Sequence, residues 1–149
     1  TIESIDVFEE ELEEAYPPMS VTLRLSDDLD ISRGDMIVKE NNVPHIEQDL
    51  DVMVCWMNDK PLVPRTKYHL KHTTNDVKCM VKEIKYKVDV NTLNRIEGGS
   101  ELKVNEIARV SLRTTRPLFF DSYRKNRQTG SIILIEEATN NTVGVGMIV

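Results

Sequence analysis

The sequence predicts an all-β protein built around a closed barrel, and three observations carry that expectation. Apolar residues recur with period two through most of the chain, the pattern of a strand with one face buried. Clusters of Ser, Asp, Asn, Gly and Pro separate these runs. Almost no stretch keeps a helical period. Six or so short strands of this kind make a barrel or a sandwich, and a barrel is favoured because closure removes exposed edges.

Pro17-Pro18 bars a helix and sets the start of the first clear run, in which Met19, Val21, Leu23 and Leu25 alternate with Ser20, Thr22 and Arg24. Ser26-Asp27-Asp28 and Ser32-Arg33-Gly34-Asp35 are turn clusters, and Met36-Ile37-Val38 reads as a further extended segment. Asn41-Asn42-Val43-Pro44 reads as a linker, which places a domain boundary between residues 42 and 43. The second unit opens with Leu50, Val52, Val54 and Trp56 on one face. Pro61 and Pro64 bracket a loop, Tyr68 and Leu70 mark the next strand, and Thr73-Thr74-Asn75-Asp76 turns the chain.

The strand after that turn changes phase. Val77, Cys79 and Val81 are odd, whereas Ile84, Tyr86 and Val88 are even, so one extra residue near Lys82-Glu83 predicts a β-bulge. Asn91 to Glu97 suggests one helical turn ended by Gly98-Gly99. Ala108, Val110 and Leu112 face one way, with Arg109, Ser111 and Arg113 opposite. Ile132-Ile133-Leu134-Ile135 lacks alternation and is expected to be buried on both faces or at the barrel's centre. Residues 138–142 form a tight hairpin into Val143–Ile148, where Gly144 and Gly146 mark a bend or the close approach of another backbone. Residues 43–149 are expected to fold alone, and residues 1–42 to be the weaker part.

Thr1 in place of Met, followed at once by Ile2, Ile5 and Val7, reads as the start of a piece cut from a longer protein. Composition is that of an ordinary soluble chain, 40% hydrophobic and 30% charged, with no apolar run near membrane-spanning length. The expected location is cytoplasmic. The net charge of −6 hides an asymmetry: residues 1–60 hold 16 acids and 4 bases (−12), and residues 61–149 hold 9 acids and 15 bases (+6). Glu9, Glu10, Glu11, Glu13 and Glu14 read as a solvated loop or helical turn. Lys78, Lys82, Lys85 and Lys87 are spread over strand positions, which keeps faces wet and makes a weak case for nucleic acid.

Catalytic and ligand motifs are few. Cys55 and Cys79 read as reduced core residues with no paired spacing for zinc, and His69 and His72 would point to opposite faces of one strand. Asp27, Asp28 and Asp30 lack the glycine and glutamate of a calcium loop. No GxxxxGK[ST] phosphate loop and no GxSxG elbow occur. One segment stands out, Arg116 to Gly130, where aromatic strand residues lead into Arg124, Lys125 and Arg127. Three cations in four residues suit an anionic partner. The alternative is a structural loop in which Asp121 and Asn126 satisfy backbone groups and Gly130 turns the chain.

These residues also carry a likeness. "RPLFFDSYRKNRQTGSIILI" with "ATNNTVGVGMI", "EIKYKVDVNTLNRIEGGSELKVNEIARVSL" and "VCWMNDKPLVPRTKYHLKHTT" resemble the end of the large, GTP-binding subunit of bacterial sulfate adenylyltransferase. Residues 2–38 are similar to the latter half of the second domain of elongation factor Tu-like translation GTPases. Departures are small: Ala108 and Arg65 stand where glycines are expected, and Val145 where alanine is usual. The resemblance implies a six-stranded antiparallel Greek-key barrel over 43–149, like domain III of elongation factor Tu, preceded by the C-terminal half of a domain II-like barrel over 1–42. It implies a parent enzyme that makes adenylyl sulfate and pyrophosphate from ATP and sulfate as a heterodimer, driven by GTP hydrolysis. GTP and Mg would bind the absent GTPase domain and the small subunit would transfer the adenylyl group. This region would then be non-catalytic, with no cofactor, no metal, no nucleic acid and no membrane. It would serve interdomain coupling and subunit contact, with the chain's own GTPase domain and the small subunit as partners. A barrel that grips RNA in an elongation factor-like GTPase is the alternative reading. Either way this chain should bind neither GTP nor ATP, and saturable micromolar binding in calorimetry would contradict that expectation.

Overall fold

The computed structural model describes residues 1–149, and every regular element is a strand. Contacts divide the chain into two compact units, residues 1–32 and 33–149. The first is a three-stranded antiparallel sheet in the order β2-β1-β3, from β1 (Ile2–Val7), β2 (Glu10–Leu12) and β3 (Thr22–Leu25). Ile5 pairs with Leu12 on one side and Leu23 on the other, and the Arg24 Nε lies 3.0 Å from Asp6. No residue of this unit is fully buried, so the face expected to be covered is only half-covered. The acidic run is solvated, but as a hairpin turn and β2 rather than a loop or helical turn.

The second unit is the barrel. Its strands are β4 (His45–Trp56), β5 (Lys67–His72), β6 (Asn75–Val88), β8 (Ile107–Phe120), β9 (Ser131–Ile135) and β10 (Thr142–Ile148), with β7 (Arg95–Glu97) added outside β6. The order β5-β9-β10-β4-β8-β6 closes on itself because β5 also pairs with β6, and every pairing is antiparallel. Strands β5, β6 and β8 neighbour in sequence order while β4 returns beside β8, which is a Greek key. The fold class anticipated from the sequence is the one found.

Inward side chains fill the ring: Leu50, Val52, Val54 and Trp56 from β4, Tyr68 and Leu70 from β5, and Val110 and Leu112 from β8, all buried. Trp56 donates its indole N–H to the Lys60 carbonyl at 2.9 Å and meets Tyr68 edge-on at 5.5 Å. A bulge in β6 lies where the phase change put it, but a further register shift between Ile84 and Tyr86 turns Tyr86 and Val88 outward opposite Arg109 and Ile107, so of the expected inward run only Ile84 is buried. Val81 and Ile84 are both buried, with Lys82 and Glu83 outside and the register shifting between Val81 and Glu83. A bulge in β8, Thr114–Pro117 opposite Gln48, accommodates Pro117, which has no N–H for the ladder. Thr114 Oγ1 donates there to the Gln48 carbonyl at 3.0 Å.

Several expectations are corrected. Ile132–Ile135 does alternate: Ile132 and Leu134 are buried while Ile133 is 38% exposed, because an antiparallel barrel offers only one buried face. Residues 91–97 contain no helical turn. Asp89 Oδ1 accepts the Asn91 and Thr92 N–H groups, and the chain returns as β7 along β6. Met36–Val38 forms no strand. Cys55 points outward between inward Val54 and Trp56, so only Cys79 is a core thiol, pushed up to about 12 by burial. Near the start of the second unit, Asn75 Nδ2 donates to the Gly34 carbonyl at 2.9 Å.

Gly144 and Gly146 face inward, and side chains rather than another backbone approach them. A Cβ on Gly146 would sit 2.5 Å from Val52 Cγ1 and 2.9 Å from Ile132 Cγ1. Gly146→Ala should therefore cost about 1–3 kcal/mol of stability through overpacking. A urea midpoint that does not fall would show that this wall of the barrel can yield.

Candidate functional site

The loop between β8 and β9 is built by hydrogen bonds at both ends. The Tyr123 N–H donates to the Ile148 carbonyl and the Ile148 N–H to the Gly130 carbonyl, each at 2.8 Å, so β10 clamps it. Inside it, Lys125 and Asn126 N–H donate to Ser122, and Gly130 N–H to Asn126. Gly130 is needed for a close approach, since a Cβ there would strike the Tyr123 backbone. Asn126 Oδ1 does satisfy a backbone group, the Gln128 N–H at 3.0 Å. Asp121 does not: it takes the Lys125 ammonium at 2.7 Å and the Thr129 hydroxyl at 3.4 Å.

The three cations of this loop differ in circumstance. Lys125 is held by Asp121, and the Arg127 guanidinium lies 6.0 Å from the Tyr123 ring centre. Arg124 is exposed and has no hydrogen bond or ion pair. It lines a cleft of about 510 Å³ together with Arg95, Arg109, Tyr86, Tyr123, Met53 and Met147. Arg95 stacks over Tyr86 at 4.6 Å. Arg95 and Arg109 escape a reading of the sequence because they reach the cleft only through pairing of β7 and β8 to β6. The outward phase of Arg109 in β8 was the one available signal.

On the barrel wall several cations meet acids. Lys78 lies 3.3 Å from Glu137, Lys82 3.4 Å and Arg113 3.1 Å from Asp49, and Lys87 2.6 Å from Glu106. Asp51 receives Lys85 at 2.7 Å and Arg109 Nη2 at 2.9 Å. Burial pushes the Asp51 carboxyl up, but the hydrogen bonds from Lys85 and Arg109 outweigh it and hold it below the usual carboxylate range. The Arg109 Nε is buried without a partner, an uncompensated donor of the kind that costs about 1–3 kcal/mol. Beyond Asp51 lies a second cleft, about 430 Å³ and acidic, lined by His45, Glu47, Asp49 and Asp51.

A profile described as "GTP-eEF1A C-terminal domain-like" matches residues 49–149, and the chain belongs to that family. It is 51% identical over 136 residues to the "Bifunctional enzyme CysN/CysC" of Mycobacterium tuberculosis strain H37Rv, covering 91% of this chain and 22% of that protein. It is 46% identical over 148 residues to "Sulfate adenylyltransferase subunit 1" of Bacteroides fragilis strain YCH46, covering 99% of this chain and 31% of the relative. The chain thus spans less than a third of the length of these two relatives. Among solved structures, Sup35 complexed with GDP superposes with a TM-score of 0.84 over 99% of this chain and 36% of that one, at 18% identity, a likeness of fold.

The lowered Asp51 carboxyl fixes a sign. Its contribution to stability is present above the ordinary carboxylate range, about pH 4, and is lost as pH falls through the lower folded value. Asp51→Asn should cost about 1 kcal/mol at neutral pH, because it leaves Lys85 and Arg109 without their carboxylate. It should also flatten the acid limb of a stability curve measured by urea titration from pH 7 downward. An unchanged acid limb would show that Asp51 is not linked to folding.

Proposed function

We propose that this chain is the non-catalytic β-barrel region of the GTPase subunit of a cytoplasmic sulfate adenylyltransferase, the enzyme that converts ATP and sulfate to adenylyl sulfate and pyrophosphate at the expense of GTP. The 46% identity to a sulfate adenylyltransferase subunit 1 across 99% of the chain carries this reading. In it, residues 1–42 are the end of a domain II-like barrel and 43–149 the domain III-like barrel. GTP and Mg bind a GTPase domain of the same polypeptide, and the adenylyl transfer takes place on the second subunit. The barrel supplies rigid surfaces that meet those partners differently in the two nucleotide states, the requirement for any such coupling.

Arg124, Lys125 and Arg127 are the contact residues of this reading. The clamped loop presents them at little ordering cost, which favours binding. The RNA-gripping alternative has less support, because Lys78, Lys82, Lys85 and Lys87 each have an acidic partner within the barrel.

The test is complex formation with the purified second subunit at low and high salt. The chain should bind it saturably, and Arg124→Ala with Arg127→Ala should weaken binding by roughly 2–5 kcal/mol if the arginines are desolvated at the interface. Exposed pairs would lose only about 0–1 kcal/mol each. A lowered melting temperature with unchanged affinity would make the loop structural, and no binding by the unaltered chain would remove the proposal.

A further inference from the structure

The cleft on the outer wall of the barrel is cationic at its rim and apolar at its floor. Met53 and Met147 are directly paired across β4 and β10, and the adjoining row continues the apolar surface as Cys55, Val145 and Ile133. Met147, Val145 and Ile133 are 43%, 40% and 38% exposed on a face where an antiparallel barrel ordinarily carries polar residues. Three guanidinium groups stand beside this floor. Arg109 shares Asp51 with Lys85, Arg95 has only the Tyr86 ring, and Arg124 has no partner. No carboxylate side chain lines the cleft. Elsewhere on the wall Lys78, Lys82, Lys85, Lys87 and Arg113 are matched by acids of the chain itself, and a lysine such as Lys67 opposite Met80 stands singly, whereas this cleft gathers three guanidinium groups beside paired methionines.

We infer that this cleft seats an acidic segment with an apolar tip from the second subunit, its carboxylates between Arg95 and Arg124 and its apolar side chain on Met53 and Met147. The inference rests on the function proposed above and names a surface for it. Arginine, tyrosine and methionine are the residues enriched where protein interfaces concentrate their binding energy. The volume, about 510 Å³, is that of a cleft able to enclose a few side chains. Both walls are ordered before any partner arrives, one by the clamp on Tyr123 and Gly130 and the other by the β6–β7 ladder. A phosphate backbone would fit less well. It has no use for a thioether floor.

The test uses the full GTPase subunit assembled with the second subunit. A photo-crosslinking p-benzoylphenylalanine in place of Met147 should join the two polypeptides. Crosslinks confined to the GTPase subunit itself, or none at all, would overturn the inference. Arg95→Glu with Arg124→Glu should lower affinity for the second subunit at least tenfold with an unchanged melting temperature. Lys60→Glu with Lys67→Glu, exposed residues outside the cleft that make the same charge change, should alter it less than threefold. Equal affinity of the Arg95/Arg124 variant and the parent would discard the cleft, and Arg124 as a contact, while leaving the reading of the chain as the barrel region of the GTPase subunit standing. Failure of the unaltered subunit to bind its partner would remove both. A labelled single-stranded RNA that binds the parent and not the Arg95/Arg124 variant would assign the cleft to nucleic acid and overturn the inference.

Discussion

Strand β5 is hydrogen-bonded along both edges, and the integrity of the barrel depends on that double pairing. Leu70 meets Val77 of β6 on one side and Leu134 of β9 on the other. Without it the sheet would be an open ribbon with two free edges, prone to pair with other chains. Closure imposes strict inside and outside faces, and the other features of the unit answer to it. The bulge at Lys82-Glu83 brings Ile84 inward and the shift after it turns Tyr86 out, the bulge at Thr114–Pro117 lets β8 pass a proline, and the glycines of β10 admit Trp56, Val52 and Ile132.

Closure also sets the electrostatics of the wall. Because β4, β8 and β6 lie side by side, cations of β8 and, reaching across it, of β6 converge on acids of β4, and Asp49 and Asp51 each receive two of them. Such pairs are partly exposed and individually modest. Their larger consequence is to cancel most of the basic surplus of the second unit locally. Among the cations left without an acid, Arg95 and Arg124 are brought together at the cleft near the loop after β8.

The coupling role proposed above asks for a part that holds its shape while chemistry proceeds elsewhere. The barrel's interior is apolar and its outer loop is tied to β10 at Tyr123 and Gly130. Surfaces fixed in this way lose little entropy on binding and transmit displacement as rigid bodies, which is what a coupling module in a nucleotide-driven enzyme requires.

The sequence by itself determined the all-β class, the inward faces of β4, β5 and β8 and the site of the β6 bulge, because side-chain alternation is a local consequence of the extended backbone. It also singled out the segment from Arg116 to Gly130. It misread Ile132–Ile135, Cys55 and residues 91–97, where the outcome turned on which neighbour each strand acquired. An outward isoleucine or cysteine is indistinguishable from a core one until its partners are known, and β7 exists only because β6 is beside it. The cleft has the same origin. Arg95, Arg109 and Arg124 are far apart along the chain and belong to different elements, so only strand pairing and the clamped loop could set them around Met53 and Met147.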